Sequence, residues 1–308
     1  MTASAEKKGT LVLIWEAARP HHWIKNGFIF LPVIFGQRLF DRAAWITSVK
    51  MFALFSLAAS SVYLWNDVAD AASDRLHPAK RHRPIASGAL SPSAALTAST
   101  IGMVIALLGA YAVNVWFGHV VLIYIGLNLI YTRWFRDFVI LDVFCISLFF
   151  VLRVIAAPLA LGIPVSYWMI IMTALLSLFL ALNKRRFELV RLARRAQEHR
   201  EVLEKYSAYY IDQMCSAITA SILVVYMLYT LDPRLVARIG SHNLVYTIPF
   251  VWYGVFRYQY LIFKKGHGGD PAKIVLSDRF MFLNIVLWLV VCAAGIYTHR
   301  EWVPFSVP

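Results

Sequence analysis

A series of nine apolar segments restricts the possible folds of this chain more than any other feature. They lie at about 15–35, 45–65, 94–113, 119–134, 138–160, 168–182, 211–230, 245–263 and 280–297. A helix needs about 20 predominantly apolar residues to cross the hydrocarbon core of a bilayer, and most of these segments approach that length. The chain is 60% apolar, whereas a soluble domain is nearer half. In lipid every backbone polar group must be satisfied within the protein, so spanning segments of this kind are helices. The expected fold is an all-α polytopic membrane protein, a single bundle of about nine transmembrane helices. No Pro/Gly/Ser-rich linker divides the chain, so residues 1–308 are expected to form one domain.

Charge orients the bundle. With a cytoplasmic N-terminus, the more basic connections fall on the cytoplasmic side: Arg75, Lys80, Arg81 and Arg83; then Arg133 and Arg136; then the arginine-rich run from Lys184 to Lys205; then Lys264, Lys265 and Lys273. The connections at 114–118 and 161–167 carry no charge and fall outside. This is the positive-inside pattern. It predicts cytoplasmic loops at about 66–91, 131–142, 183–210 and 264–279 of a protein in the inner (cytoplasmic) membrane. A net charge of +13 is then explained by these loops, by membrane lipid and by phosphate-bearing ligands, with no nucleic acid. The first ten residues are polar, and no cleavable leader is expected. Cys145, Cys215 and Cys292 lie scattered in apolar runs and form neither a disulfide framework nor a metal motif.

The richest polar stretch runs from Asn66 to Pro84, where the second apolar segment ends. Asp67, Asp70 and Asp74 sit at i, i+3 and i+7, the spacing of one helical face. Clustered carboxylates repel one another and call for a cation. Hard oxygen ligands suit Mg²⁺, which commonly bridges carboxylates to phosphates. Lys80, Arg81 and Arg83 follow closely and suit the remaining phosphate charge. Asp67, Asp70 and Asp74 are thus the candidate metal ligands, beside Asn66; the competing view is a solvated helix end with ordinary side-chain pairs.

Further polar residues enter apolar segments. Arg19 and Trp23 lie one α-helical turn apart, with Lys25 and Asn26 just beyond. Arg19 and Lys25 either line a polar cavity, which is favoured, or snorkel to the headgroups; Trp23 is equally an interfacial anchor. Tyr131, Arg136 and Asp142 form a second cluster. Asp137 and Asp142 point about 140° apart on a helix, so Asp142 is expected to face the cavity and Asp137 the surface. Arg153 either reaches a ligand or bonds carbonyls freed near Pro158. Lys184, Arg185 and Glu188 close the sixth segment, with Lys184 and Glu188 at i,i+4. The basic run 184–210 is either a surface helix with Leu189, Leu192 and Ala196 as its apolar stripe or a plain solvated loop. Arg257, Tyr258, Asp270 and Asp278 are the last candidates; Asp278 equally suits the start of the ninth helix. The nine histidines show no metal spacing.

The string Asn66-Asp67-x-x-Asp70-x-x-x-Asp74, the nine-segment layout and the Tyr131–Asp142 turn together resemble the UbiA superfamily of membrane-embedded prenyltransferases. Within it the chain is most similar to the branch that transfers phosphoribose. The shared strings are Arg19-Pro20-x-x-Trp23-x-Lys25-Asn26, Lys80-Arg81-x-Arg83-Pro84-Ile85-Ala86-Ser87-Gly88, Leu152-Arg153-x-Ile155-Ala156, Lys184-Arg185-x-x-Glu188-Leu189 and Arg257-Tyr258. The superfamily's second aspartate motif is reduced here to Asp142, a departure that favours the phosphoribosyl branch. The resemblance implies transfer of 5-phosphoribose from phosphoribosyl diphosphate (PRPP) to a polyprenyl (decaprenyl) phosphate, toward arabinofuranosyl donors. It implies Mg²⁺ as cofactor, catalysis at Asn66, Asp67 and Asp70, and substrate contacts from Arg19, Lys25, Asp74, Lys80, Arg83, Tyr131, Arg136, Asp142, Arg153, Lys184, Arg185, Glu188, Arg257 and Tyr258. It leaves room for a homo-oligomer. The alternative is a prenyltransferase acting from prenyl diphosphate on an aromatic acceptor. A transporter fits less well, because the polar residues gather at one end of the segments and not at mid-membrane.

Overall fold

The computed structural model describes residues 9–77, 80–192, 206–264, 271–298 and 302, and among them every regular element is helical. In chain order these are α1 (Thr10–Ala18), a 3-10 segment (Pro20–Phe30), α2 (Leu31–Phe35), α3 (Arg42–Ala69), α4 (Ala71–Leu76), α5 (Pro92–Val113), α6 (Val115–Arg133), α7 (Leu141–Leu161), α8 (Tyr167–Leu192), α9 (Ala208–Thr230), α10 (Pro233–Ile239), α11 (Ile248–Phe263), α12 (Pro271–Ser277) and α13 (Arg279–Tyr297). Two further 3-10 turns lie at Phe135–Asp137 and Asn243–Thr247.

Seven of these helices are long and apolar enough to cross a membrane: α3, α5, α6, α7, α8, α9 and α13. The first and eighth apolar segments differ from the expectation of single continuous spans. In the first, Arg19 adopts a left-handed conformation (φ 52°) and Pro20 follows, so α1 stops and an eleven-residue 3-10 segment begins. In the eighth, the Asn243–Thr247 turn precedes a 16-residue α11, which at 1.5 Å per residue is about 24 Å long.

Helix starts follow local chemistry. Asp41 accepts from the amides of Ala43 and Ala44 at the start of α3. Ser91 caps α5 ahead of Pro92, as its sequence predicts. Asn114 caps α6, Asp232 caps α10 and Asp278 caps α13. One half of the bundle packs α3, α5, α6 and α7 around Met51, Phe55, Ala106, Phe117, Tyr124 and Phe149. The α3–α5 approach is close because α5 presents Ala95, Ser99, Gly102 and Ala106. A side chain at Gly102 would overlap Ser61 Oγ, while Ser99 donates to the Ser61 carbonyl at 2.7 Å. The other half gathers α8, α9, α11 and α13 around Phe179, Ile222, Tyr258 and Met281. The basic run expected over 184–210 is described only to Leu192 and again from Tyr206; Ala196 of its stripe, and Asp270 further on, lie outside the described residues.

Candidate functional site

The aspartate stretch is not one continuous helical face. α3 ends at Ala69, Asp70 is its C-terminal cap, and α4 begins again at Ala71. Asp67 and Asp74 share one partner, Arg83, and Asp70 has another, Arg136. Asp67, 4% exposed, pairs with Arg19 and, at 3.1 Å, with Arg83 Nη1. The same Arg83 nitrogen reaches Asp74 Oδ2, and Lys80 lies 3.7 Å from Asp74 Oδ1. Asp70 pairs with Arg136 from the turn after α6. Burial alone would lower the Arg136 pKa, but the Asp70 hydrogen bond and charge outweigh it and hold the guanidinium above its ordinary value. Thr132 Oγ1 donates to Asn66 Oδ1 at 2.7 Å and orients that amide. Gly88 has a φ of +79° and closes the basic loop, which Arg75 Nε braces by donating to the Ala86 carbonyl at 3.2 Å.

Four cations thus face three carboxylates in one cluster drawn from the junction of α1 and the 3-10 segment, α3 and its cap, α4, the loop before α5 and the turn after α6. Among the described residues no three carboxylate, histidine or cysteine side chains converge as a ready metal-binding group. Arg83 instead sits between Asp67 and Asp74, and Arg136 holds Asp70. The donor set itself, three carboxylates and an amide oxygen, is hard and suits Mg²⁺.

A second cluster stands beside the first. Asp142 is completely buried near the start of α7 and accepts from Arg185 Nε at 2.9 Å and Tyr206 Oη at 3.0 Å. Arg185 Nη1 donates to Glu188 at 2.8 Å, and Lys184 sits 4.0 Å from the same carboxylate. Tyr206 Oη also accepts from the Ile140 amide at 2.6 Å. Ile140 has φ +71°, a costly conformation for a β-branched residue, and this bond helps to fix it. Burial pushes the Tyr206 hydroxyl up to about 12, so it remains a donor to Asp142. Tyr131 lies near enough to Arg136 and Arg185 to interact electrostatically with both, which links the two clusters. Asp137 is 56% exposed, the surface position its spacing predicted.

Arg257 and Tyr258 stand apart. Arg257 pairs with Asp278 at 2.7 Å, and Asp278 also caps α13 through the Met281 amide. Tyr258 is buried against Phe179. Arg153 does not bond a carbonyl freed by Pro158. A long helical side chain leans toward the N-terminal turn, so Arg153 Nη1 reaches the Phe149 carbonyl at 2.7 Å, and its other nitrogens reach Asn26 and Tyr124. Lys25 is half-buried on the 3-10 segment. A separate opening of about 420 Å³ is lined by Ser216, Gln259, Tyr260, Phe263 and Lys264, none of them in either cluster. Sequence reasoning missed Thr132, Tyr206 and Tyr124. Tyr206 gave no signal, since its partner Asp142 is 64 residues away.

These observations define the class of the protein as a multi-pass helical bundle that holds a cluster of aspartates paired with arginines. A profile of the UbiA prenyltransferase family matches residues 28–286, and the chain belongs to that family. The decaprenyl-phosphate phosphoribosyltransferase of Mycobacterium tuberculosis is 31% identical over 285 residues, covering 91% of this chain and 93% of the relative. The protein of the same name from Mycolicibacterium smegmatis is 32% identical over 92% of each chain. Among solved structures, a UbiA homologue from Archaeoglobus fulgidus bound to GPP and Mg²⁺ superposes with a TM-score of 0.67 at 15% identity, over 92% of this chain and 99% of that one. That likeness confirms the fold.

Proposed function

We propose that the protein moves 5-phosphoribose from PRPP to a polyprenyl phosphate, releasing diphosphate. The observation that carries this reading is the excess of cations around three aspartates: Arg19, Lys80, Arg83 and Arg136 face Asp67, Asp70 and Asp74. Such a cluster suits a polyanionic donor better than a neutral one. The relatives matched over nine-tenths of the chain bear names of this activity. The C1–diphosphate bond of PRPP breaks through an oxocarbenium-like state, and a phosphate oxygen of the acceptor forms the new bond to C1. That oxygen is already anionic at neutral pH, so no strong base is required. The protein's part is orientation and charge shielding.

Asp67, Asp70 and Asp74 would hold Mg²⁺ with Asn66 beside them, and the ion would neutralise charge on the departing diphosphate. Arg83, Lys80, Arg19 and Lys25 bind phosphate oxygens and hold the donor. Tyr131, Arg136, Lys184 and Arg185 serve the acceptor phosphate, with Asp142 and Glu188 setting the angle of Arg185. The site opens to the cytoplasm of an inner-membrane protein, a placement supported by the basic loops, and the prenyl chain lies against lipid. Residues 1–308 act as one domain.

The test uses purified protein in detergent with Mg²⁺, radiolabelled PRPP and decaprenyl phosphate. Label is expected in the organic phase, with Asp67→Ala reducing transfer by at least about 10²-fold. No transfer, with a labelled prenyl group instead passing from prenyl diphosphate to an aromatic acceptor, would replace this reading with that of a prenyltransferase.

A further inference from the structure

Arg153 carries a buried charge that touches none of the aspartates. It is 5% exposed, past the midpoint of α7, and among the described residues no carboxylate lies within ion-pair reach of it. Three acceptors hold it: Asn26 Oδ1 at 2.8 Å, the Phe149 carbonyl at 2.7 Å and Tyr124 Oη at 2.9 Å. The rings of Phe55, Tyr124 and Phe150 surround it, with centroids 4.9–5.5 Å from its guanidinium carbon. A cation inside a membrane span is expensive, and apolar packing would give cohesion more cheaply.

Asn26 shows what this charge does. Its amide is used at both ends, accepting from Arg153 and donating to Ser56 Oγ at 2.9 Å. It lies on the Pro20–Phe30 segment, where three residues make a turn. That period aligns Trp23, Asn26 and Ile29 on one edge. Trp23 Nε1 donates to Ser60 Oγ at 2.9 Å, one α-helical turn from Ser56 on α3, and Ile29 is fully buried. The edge is thus docked at three successive turns, and Asn26 is the one that joins α3 to α7. An eleven-residue 3-10 run is unusual, since such helices seldom pass four residues unaided. The segment starts at Arg19, whose left-handed backbone turns its side chain onto Asp67 and over the Tyr63 ring. A slip of the segment along α3 would carry Arg19 with it.

We infer that Arg153 is a positioning residue: through Asn26 it holds the register of the 3-10 segment and so keeps Arg19 on Asp67. The inference rests on the reading of the Asp67 cluster as the donor-phosphate site. It makes no use of Arg153 as a substrate contact.

The test is a double-mutant cycle between Arg153→Lys and Arg19→Ala, residues that do not touch. Transfer kinetics are read on variants that elute as monodisperse protein. Arg153→Lys is expected to raise the KM for PRPP by about tenfold in the wild-type background and by less than about twofold in Arg19→Ala, because both act on one contact. A protein that is merely less stable loses active fraction and lowers apparent kcat, leaving KM in place. Asn26→Ala should reproduce Arg153→Lys, and Asn26→Asp, which keeps an acceptor for Arg153 Nε, should restore most of the wild-type KM. Effects of Arg153→Lys and Arg19→Ala that simply multiply, or a lowered Tm with unchanged KM, overturn the inference. If Arg153→Lys does not fold, the same cycle is run with Asn26→Ala. If the wild type transfers no phosphoribose, the functional reading fails by itself. The cycle is then read in transfer from prenyl diphosphate, where coupling supports the inference and its absence overturns it.

Discussion

Arg83 is the residue on which the aspartate cluster turns. One of its nitrogens contacts both Asp67 and Asp74, the two most buried carboxylates of the stretch. In the proposed reaction it plays opposing parts, since it attracts the donor's phosphates and competes with Mg²⁺ for the same two carboxylates. Arg83→Ala should therefore lower transfer by about 10²-fold and also lower the Mg²⁺ concentration giving half the maximal rate. A Mg²⁺ titration of both proteins checks this, and an unchanged rate would count against any role for Arg83. Arg136 likewise occupies a carboxylate, Asp70, and Asp137 lies 3.7 Å from Arg136 Nε. Asp142 differs, being fully buried with two donors of its own, and it orients Arg185 more than it offers itself to solvent.

The elements have their own electrostatic fastenings, and the one remote from the aspartates is a clean place to measure one. Asp232 caps α10 and accepts from Trp168 Nε1 at 2.7 Å and Tyr167 Oη at 2.8 Å, tying α10 to the start of α8. These bonds, Trp168 first, hold its carboxyl below the usual 3.8, at about 2. A depressed pKa adds stability above the unfolded value that is lost as pH falls through the folded one. Thermal stability should thus decline from about pH 4 to about pH 2 through this group. Asp232→Asn should remove that part of the decline, and Tm measured in detergent across the range reads it. An identical slope in the variant would show that the fastening is inert.

For the whole molecule, the placement of loops relative to the bilayer decides where substrates meet. If the basic loops are cytoplasmic, Ser87→Cys in the loop after the aspartates is shielded from a membrane-impermeant maleimide in intact cells. Ser166→Cys, in the uncharged connection before α8, is labelled. The native Cys145, Cys215 and Cys292 are all buried, so they give little background. Labelling of Ser87→Cys from outside would invert the bundle and remove the site from the cytoplasm.

Apolar run length and the asymmetry of loop charge made the helical bundle readable from the chain alone, because a bilayer admits few backbone solutions. The motif from Asn66 to Pro84 likewise announced a local gathering of carboxylates and cations, and Asp67 and Asp74 do meet Arg83, with Lys80 near Asp74. Conformation at the breaks was not readable. An α-helical period pairs Arg19 with Trp23, but a left-handed Arg19 and a 3-10 run pair Trp23 with Asn26 and Ile29 instead. The i, i+3, i+7 aspartates suggested one face, but Asp70 pairs with Arg136, 66 residues away, while Asp67 and Asp74 share Arg83. The partners that decide these placements, Ser56 and Arg153 for Asn26 and Tyr206 for Asp142, lie 30, 127 and 64 residues away. Local pattern carries no information over such separations, and only the packing of the 3-10 segment against α3 and α7, and of the chain before α9 against α7, brings those side chains within hydrogen-bond reach.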